Sequence, residues 1–228
     1  MRSKPASPAA PPPTTDGWTA DLVGGALCLD FANTVPTYLA SEDSFVDHLS
    51  DYASLLAWCA QANLLDAATL ARLRLAATRR PADAERVVRE AHTLRLAIYE
   101  AFAAAANAQP ADERTLATLS RFHAAAAPHE RLVHRANDND DAYFLQQDSD
   151  APDALDAMLW PIARSAIDLL LSGRHTRVRV CEAAAQESCT WLFVDESKNH
   201  SRRWCSMRDC GNRAKVRRHY QRNKRDAS

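Results

Sequence analysis

Four cysteines near one end of the chain are the residues whose type and spacing could do chemistry. Cys205 and Cys210 have four residues between them, and Cys181 and Cys189 have seven. Together they can supply the four thiolates that tetrahedral Zn²⁺ prefers, and a closed shell of four sulfurs is structural, since it leaves no open position for a substrate. Two other uses of such cysteines are small buried hydrophobes and disulfides. A disulfide is disfavoured by the reducing compartment expected of a chain without a secretion signal, and by neighbouring cations, which favour the metal-binding thiolate. Thr190 to Asp195, between the pairs, is strand-like. With Trp191, Phe193 and Trp204 gathered round it, the metal would form part of the core of a module too small to fold unaided.

Directly after Cys210 comes the run Gly211 to Arg225, rich in Lys and Arg. Net charge over the whole chain is only −1, but it is segregated. Residues 198–228 carry 11 Lys and Arg against 2 Asp and Glu, leaving 17 against 27 for residues 1–197. A basic tail on an acidic body points to a polyanionic partner for the tail. On a helix beginning near Asn212, residues Arg213, Arg217 and Lys224 fall along one side, and Lys215, Arg218, Arg222 and Arg225 broaden the stripe. This composition suits phosphate contacts, with Asn212 available to a phosphate or a base edge. Arg202 and Arg203 either join that surface or pair with Asp195 and Glu196.

The stretch Asp195-Glu-Ser-Lys-Asn-His-Ser-Arg-Arg-Trp-Cys205-Ser-Met-Arg-Asp-Cys210-Gly-Asn-Arg213-Ala-Lys215 resembles the signature of the CGNR zinc-finger family. That family joins this finger to an N-terminal helical domain called ABATE, and its members are described as candidate stress-induced transcription regulators. Gly24-Gly-Ala-Leu-Cys-Leu-Asp-Phe-Ala-Asn-Thr34 is similar to the opening motif of that domain, so the resemblance runs from about Trp18 to the finger. It implies DNA as the polyanion and a sensing role for the body. The seven-residue gap after Cys181 is longer than the family's usual one, which makes Cys181 the least secure ligand and His200 its substitute.

These residues need elements to position them. Leu27, Leu29 and Phe31 alternate with Cys28, Asp30 and Ala32, the period of a strand, ending at Asn33-Thr-Val-Pro36. Asp30, Asn33 and Thr34 would then stand where a strand end can meet a small molecule, or would simply cap a turn. Phe45 to Cys59 recur at helical spacing behind Asp43 or Ser44 as N-cap, Asp66 caps a shorter helix to about Arg79, and Pro81 opens a long one carrying Val87, Ala91, Leu94, Ile98, Phe102 and Ala105. Pro110 and Asp112 open another. Arg131 to Arg135 and Ala142 to Gln147 flank the turn-rich Asn137 to Asp141 as a hairpin, read as a solvated turn rather than a calcium loop. A helix from Asp153 to Ser172 should be kinked or divided by Pro161. Gly173 supplies a left-handed C-cap, and Arg177 to Val180 form a strand leading to Cys181. Cys28 and Cys59 lack a second ligand at metal spacing and read as packing residues.

Met1 to Asp16 is rich in Pro, Ala, Ser and Thr without an apolar core, and reads as a disordered leader. No apolar stretch approaches the ~20 residues of a membrane span. The expected protein is cytoplasmic and mostly α (α+β): a leader over 1–16, a multihelical body with a short hairpin over 17–173, and a Cys₄ zinc finger with a basic helix over 174–228. The function expected is a zinc-containing, DNA-binding transcriptional regulator with a small-molecule effector in the body, and no enzyme. Its rivals are a zinc-stapled RNA-binding or protein-interaction module, and an enzyme using a carboxylate such as Asp30.

Overall fold

The computed structural model describes residues 17–35, 47–137, 140–147, 154–186 and 189–226. In chain order the elements are α1 Leu27–Ala32, α2 Tyr52–Gln61, α3 Ala67–Arg79, α4 Pro81–Ala106, α5 Glu113–Ala126, β1 Glu130–Asn137, β2 Asp140–Gln147, α6 Leu159–Leu171, β3 Val178–Val180, β4 Leu192–Val194 and α7 Asn212–Asp226. The fold is mostly helical with two small antiparallel hairpins, β1–β2 and β3–β4.

Helix starts follow the local chemistry. Asp51, Asp66 and Asp112 each accept a 2.7 Å bond from the backbone N–H three residues on, replacing one unmade helical bond. The expected cap at Asp43 or Ser44 lies outside the described residues, and α2 begins at Tyr52. Pro81 opens α4, where its missing N–H costs nothing. This 26-residue helix, about 39 Å long at 1.5 Å per residue, is the central post, packing on α1, α2, α3, α5, α6 and both short strands of the second hairpin. Pro161 neither kinks nor divides α6. The helix starts at Leu159, which leaves the proline in the first turn, where no helical bond is lost. Gly173 takes φ 74°, the left-handed conformation that closes α6.

The segment around Asp30 corrects the strand expectation, because Leu27–Ala32 is helical. Alternation misleads in an element buried on nearly every side. Cys28, Leu29, Phe31 and Ala32 are all fully buried, which fits positions i, i+1, i+3 and i+4 of a helix as well as any strand period. Yet the flanks of α1 do for β4 what a third strand would do. The Val194 N–H donates to the Gly24 carbonyl at 2.8 Å, and the Asn33 side-chain amide pairs with the Leu192 backbone in both directions, at 2.8 and 2.9 Å. Gly24 is required for the chain to lie against the start of α1, since a Cβ there would stand 2.8 Å from Leu29 Cβ and 2.9 Å from the Asp30 nitrogen.

Strand alternation in β4 then divides the interior. Leu192 and Val194 belong with Val178 to the large helical core, whereas Phe193 turns the other way, into a second core made with Cys181, Cys189, Cys205 and Cys210. One three-residue strand is thus shared by body and finger.

Candidate metal centre and nucleic-acid interface

Three short pieces of chain bring the four cysteines together. Cys181 follows β3, Cys189 precedes β4, and Cys205 precedes while Cys210 belongs to the tight turn Met207–Gly211 from which α7 grows. The turn is capped by Ser206, whose Oγ accepts from the Asp209 N–H. A bond from Cys181 N–H to the Trp191 carbonyl (2.8 Å) extends the hairpin, and one from Glu182 N–H to the Arg203 carbonyl (2.9 Å) ties it to the segment leading into Cys205. Seven residues between Cys181 and Cys189 do not displace either cysteine, because Glu182–Gln186 wind into a 3₁₀ turn that takes up the extra length. His200, the substitute considered for Cys181, instead points Nδ1 at the Asp195 carbonyl.

The four sulfurs lie within 4.8 Å of one another, and Cys205 is 3.6 Å from both Cys189 and Cys210. A disulfide needs about 2.05 Å. A tetrahedron with metal–sulfur bonds of about 2.3 Å has edges near 3.8 Å, so the spacing fits Zn²⁺. Their electrostatics agree. Hydrogen bonds from Cys189 and Cys205 pull the Cys181 thiol down to about 7, and those from the other three thiols, then the Arg213 guanidinium, pull Cys210 far below the ordinary thiol value. Cys189 and Cys205 are pushed up by the same neighbours. Thiols so crowded cannot all ionise without a cation among them, and a dication supplies that charge. Cys28 and Cys59 behave as isolated buried hydrophobes. Burial, helped by the nearby Asp30 carboxylate, lifts Cys28 to about 12, and burial moves Cys59 the same way.

Arg213 donates to Cys210 Sγ at 3.1 Å. A Zn²⁺ with four thiolates carries a net −2, which this guanidinium partly offsets, a role that the helical wheel concealed. Two other arginines of the predicted surface are also engaged. Arg202 stacks on Phe193, 4.3 Å from its ring centre, and donates to the carbonyls of Cys205, Trp204 and Val23. Arg203 pairs with Glu182 at 2.5 Å and lies against Trp204. Asp195, fully buried, accepts from Ser197 and from the Arg202 backbone N–H. Burial works to raise its pKa, but these bonds outweigh that and hold it below the usual range. Glu196 pairs with Arg174.

From Asn212 to Arg225 the chain has seven Lys and Arg and no acid. Lys215, Arg217 and Arg218 are exposed, and among the described residues α7 packs chiefly on the turn before it. Asn212 is exposed and returns its amide to the Arg208 carbonyl at 2.8 Å. Arg222, Lys224 and Arg225 continue the same helix.

In the body, Asp30, Asn33 and Thr34 bond within the chain. Asp30 accepts from Gly24 N–H at 2.8 Å, and Thr34 Oγ1 donates to the Phe31 carbonyl while accepting from Arg95. Arg95, only 4% exposed, holds Asp47 with both terminal nitrogens. A lone arginine beside Leu94 on the apolar stripe of α4 was the signal for this buried pair, since such a charge requires a carboxylate.

Asp30 gives a pH prediction. Desolvation lifts its carboxyl from 3.8 to about 6, with the Gly24 N–H working against the rise. A raised acid pKa means the folded state holds its proton longer than the unfolded chain, so stability falls as pH climbs from about 4 to 6 and stays reduced above. Asp30→Asn keeps the acceptor for Gly24 and removes the charge. It should raise thermal stability at pH 7.5, by up to about 3 kcal/mol at 1.36 kcal/mol per pH unit, and change little at pH 4. Thermal unfolding of both proteins across that range checks it, and an equal difference at both ends would contradict it.

Among the described residues no helix is long and apolar enough to cross a membrane. A family model described as "Putative stress-induced transcription regulator" (ABATE) matches residues 25–173, and a CGNR zinc finger model matches residues 177–223. No curated protein matches the chain.

Proposed function

Since the chain belongs to the ABATE family and carries a CGNR zinc finger, we propose that it is a zinc-containing transcriptional regulator that binds duplex DNA through α7. One observation carries the reading: a helix with seven Lys and Arg against the single terminal acid Asp226 leaves a turn held by Cys205 and Cys210, with Lys215, Arg217 and Arg218 exposed. Cys181, Cys189, Cys205 and Cys210 hold the zinc. The metal's task is to fix the exit direction of α7, and a closed thiolate shell gives it no catalytic one.

In this reading the phosphate contacts come from Lys215, Arg217, Arg218, Arg222, Lys224 and Arg225. Arg202, Arg203 and Arg213 support the metal module through the partners described above. The body acts as the responsive part, and β4 is the route to the finger, because a rearrangement of the helical core that shifts Leu192 or Val194 also shifts Phe193 and the cysteines.

Truncation after Gly211 tests the assignment. The shortened protein should keep one zinc and the helicity of the body while losing at least a hundredfold in affinity for duplex DNA. Unchanged affinity removes α7 from the interface. In competition, duplex DNA should displace a labelled duplex better than structured RNA of equal length. The reverse order would favour the RNA-binding reading, which the same basic helix also suits.

A further inference from the structure

The body holds a groove of about 750 Å³ where α2, α3 and α4 diverge. Its floor is apolar, formed by Tyr52, Leu56, Ala84 and Val88, each at most 8% exposed. Two arginines, Arg74 from α3 and Arg89 from α4, stand exposed on its rim, and neither has an ion-pair partner among the described residues. The rim also carries two carboxylates, Asp51, which caps α2 through Ser54, and Glu85, and neither forms an ion pair with Arg74 or Arg89. The first turn of α4 also enters the groove. Its cap residue, Arg80, offers no side-chain acceptor, and Asp83 in the first turn offsets part of the positive helix end.

A second cleft, of about 560 Å³ beside α6, makes the comparison useful. It too contains two arginines, but Arg164 is bound to Glu130 and Asp168, and Arg174 to Glu196. Any anion entering there has to displace a carboxylate already in place. In the α2–α3–α4 groove no carboxylate among the described residues is paired with Arg74 or Arg89 and has to be displaced.

An apolar trough with free cations at its mouth suits one chemical class, a small amphipathic acid. The hydrocarbon part would cover Leu56 and Val88, and the carboxylate would meet Arg74 and Arg89, where a planar guanidinium can take both its oxygens. We propose that this groove is a binding site for small apolar carboxylates. It stands apart from Asp30, Asn33 and Thr34 and does not depend on the nucleic-acid assignment. Its place on α4 is consistent with an effector role, because the far half of the same helix packs against β3 and β4.

Titration calorimetry of the zinc-loaded full chain with octanoate, and with 1-octanol as its neutral counterpart, tests the proposal without nucleic acid. Octanoate should bind saturably at one site, at least tenfold more tightly than octanol. The double variant Arg74→Ala, Arg89→Ala changes only exposed side chains and should bring octanoate down to the level of octanol. Ala53→Trp, at an exposed position on the groove wall, should abolish both. Three results would each overturn the proposal: a preference for carboxylate that survives the double variant, binding that survives Ala53→Trp, or no saturable octanoate binding below its micellar concentration. The last is the outcome if another part of the chain already fills the groove.

Discussion

Cys205→Ser should release the zinc, unfold the finger and lower the melting temperature of the body with it. Cys205 sits between Cys189 and Cys210 at 3.6 Å from each, so its loss opens the shell at its most connected sulfur. Structural zinc in small modules contributes an apparent ~10–16 kcal/mol at neutral pH, more than the finger's own small core of Phe193, Trp191 and Trp204 can replace. Damage should spread beyond the finger because Leu192 and Val194 are part of the body core and Asn33 depends on the Leu192 backbone. An unpaired buried amide costs about 1–3 kcal/mol for each lost bond. Metal analysis should fall from one zinc per chain to none, and tryptophan fluorescence should report Trp191 and Trp204 entering water. A variant that retains its zinc and unfolds at the wild-type temperature would show that these cysteines do not form the site. Chelation of the wild-type protein should reproduce the same changes, which separates loss of metal from any effect of the new hydroxyl.

Duplex affinity should fall steeply with salt. Neutralising a phosphate releases condensed counterions, giving a slope of about −0.9 per contact in log K against log salt. With Lys215, Arg217, Arg218, Arg222, Lys224 and Arg225 as contacts the slope should be near −5, a loss of about 10³ between 50 and 200 mM salt. Single variants sharpen the test. Arg218→Ala should flatten the slope by about one, since Arg218 is exposed and lies only loosely over Trp204, 6.0 Å from the ring centre. Arg203→Ala should leave the slope unchanged, because that guanidinium is committed to Glu182. Equal effects from the two variants, or a slope near zero, would mean that the phosphate surface has been assigned to the wrong side of the finger.

Much of this protein is set by local chemistry and could therefore be read from the chain. Asp66, Asp112 and Pro81 mark helix starts because the unmade N–H groups of a first turn are satisfied, or excused, within three residues. The thiolate quartet was legible because its chemistry resides in residue type: few other uses bring four cysteines together beside a cationic run. Periodicity failed where burial was nearly complete. Around Asp30 it carried no information, since both faces of the segment are apolar, and packing among α4, α6 and β4 chose the helix. Pro161 was misjudged because the sequence does not show where α6 begins.

The roles of single polar residues lay further out of reach. Asn33 meets Leu192 across 159 positions, Arg95 meets Thr34 across 61, and Arg202 folds back to Val23 across 179. Along the chain Arg202, Arg203 and Arg213 are indistinguishable from Lys215 and Arg217, because charge composition is additive and carries no record of partners. Sequence by itself determined the longer helices α3, α4 and α5, the four cysteines that gather into one cluster and the charge of the tail, each fixed by residues near one another or by side-chain type. Tertiary structure decided that Arg202, Arg203 and Arg213 are engaged, that β4 serves two cores at once, and that two arginines with no ion-pair partner among the described residues share the mouth of an apolar groove. Those facts rest on distances between residues remote in the chain, and only the folded backbone sets them.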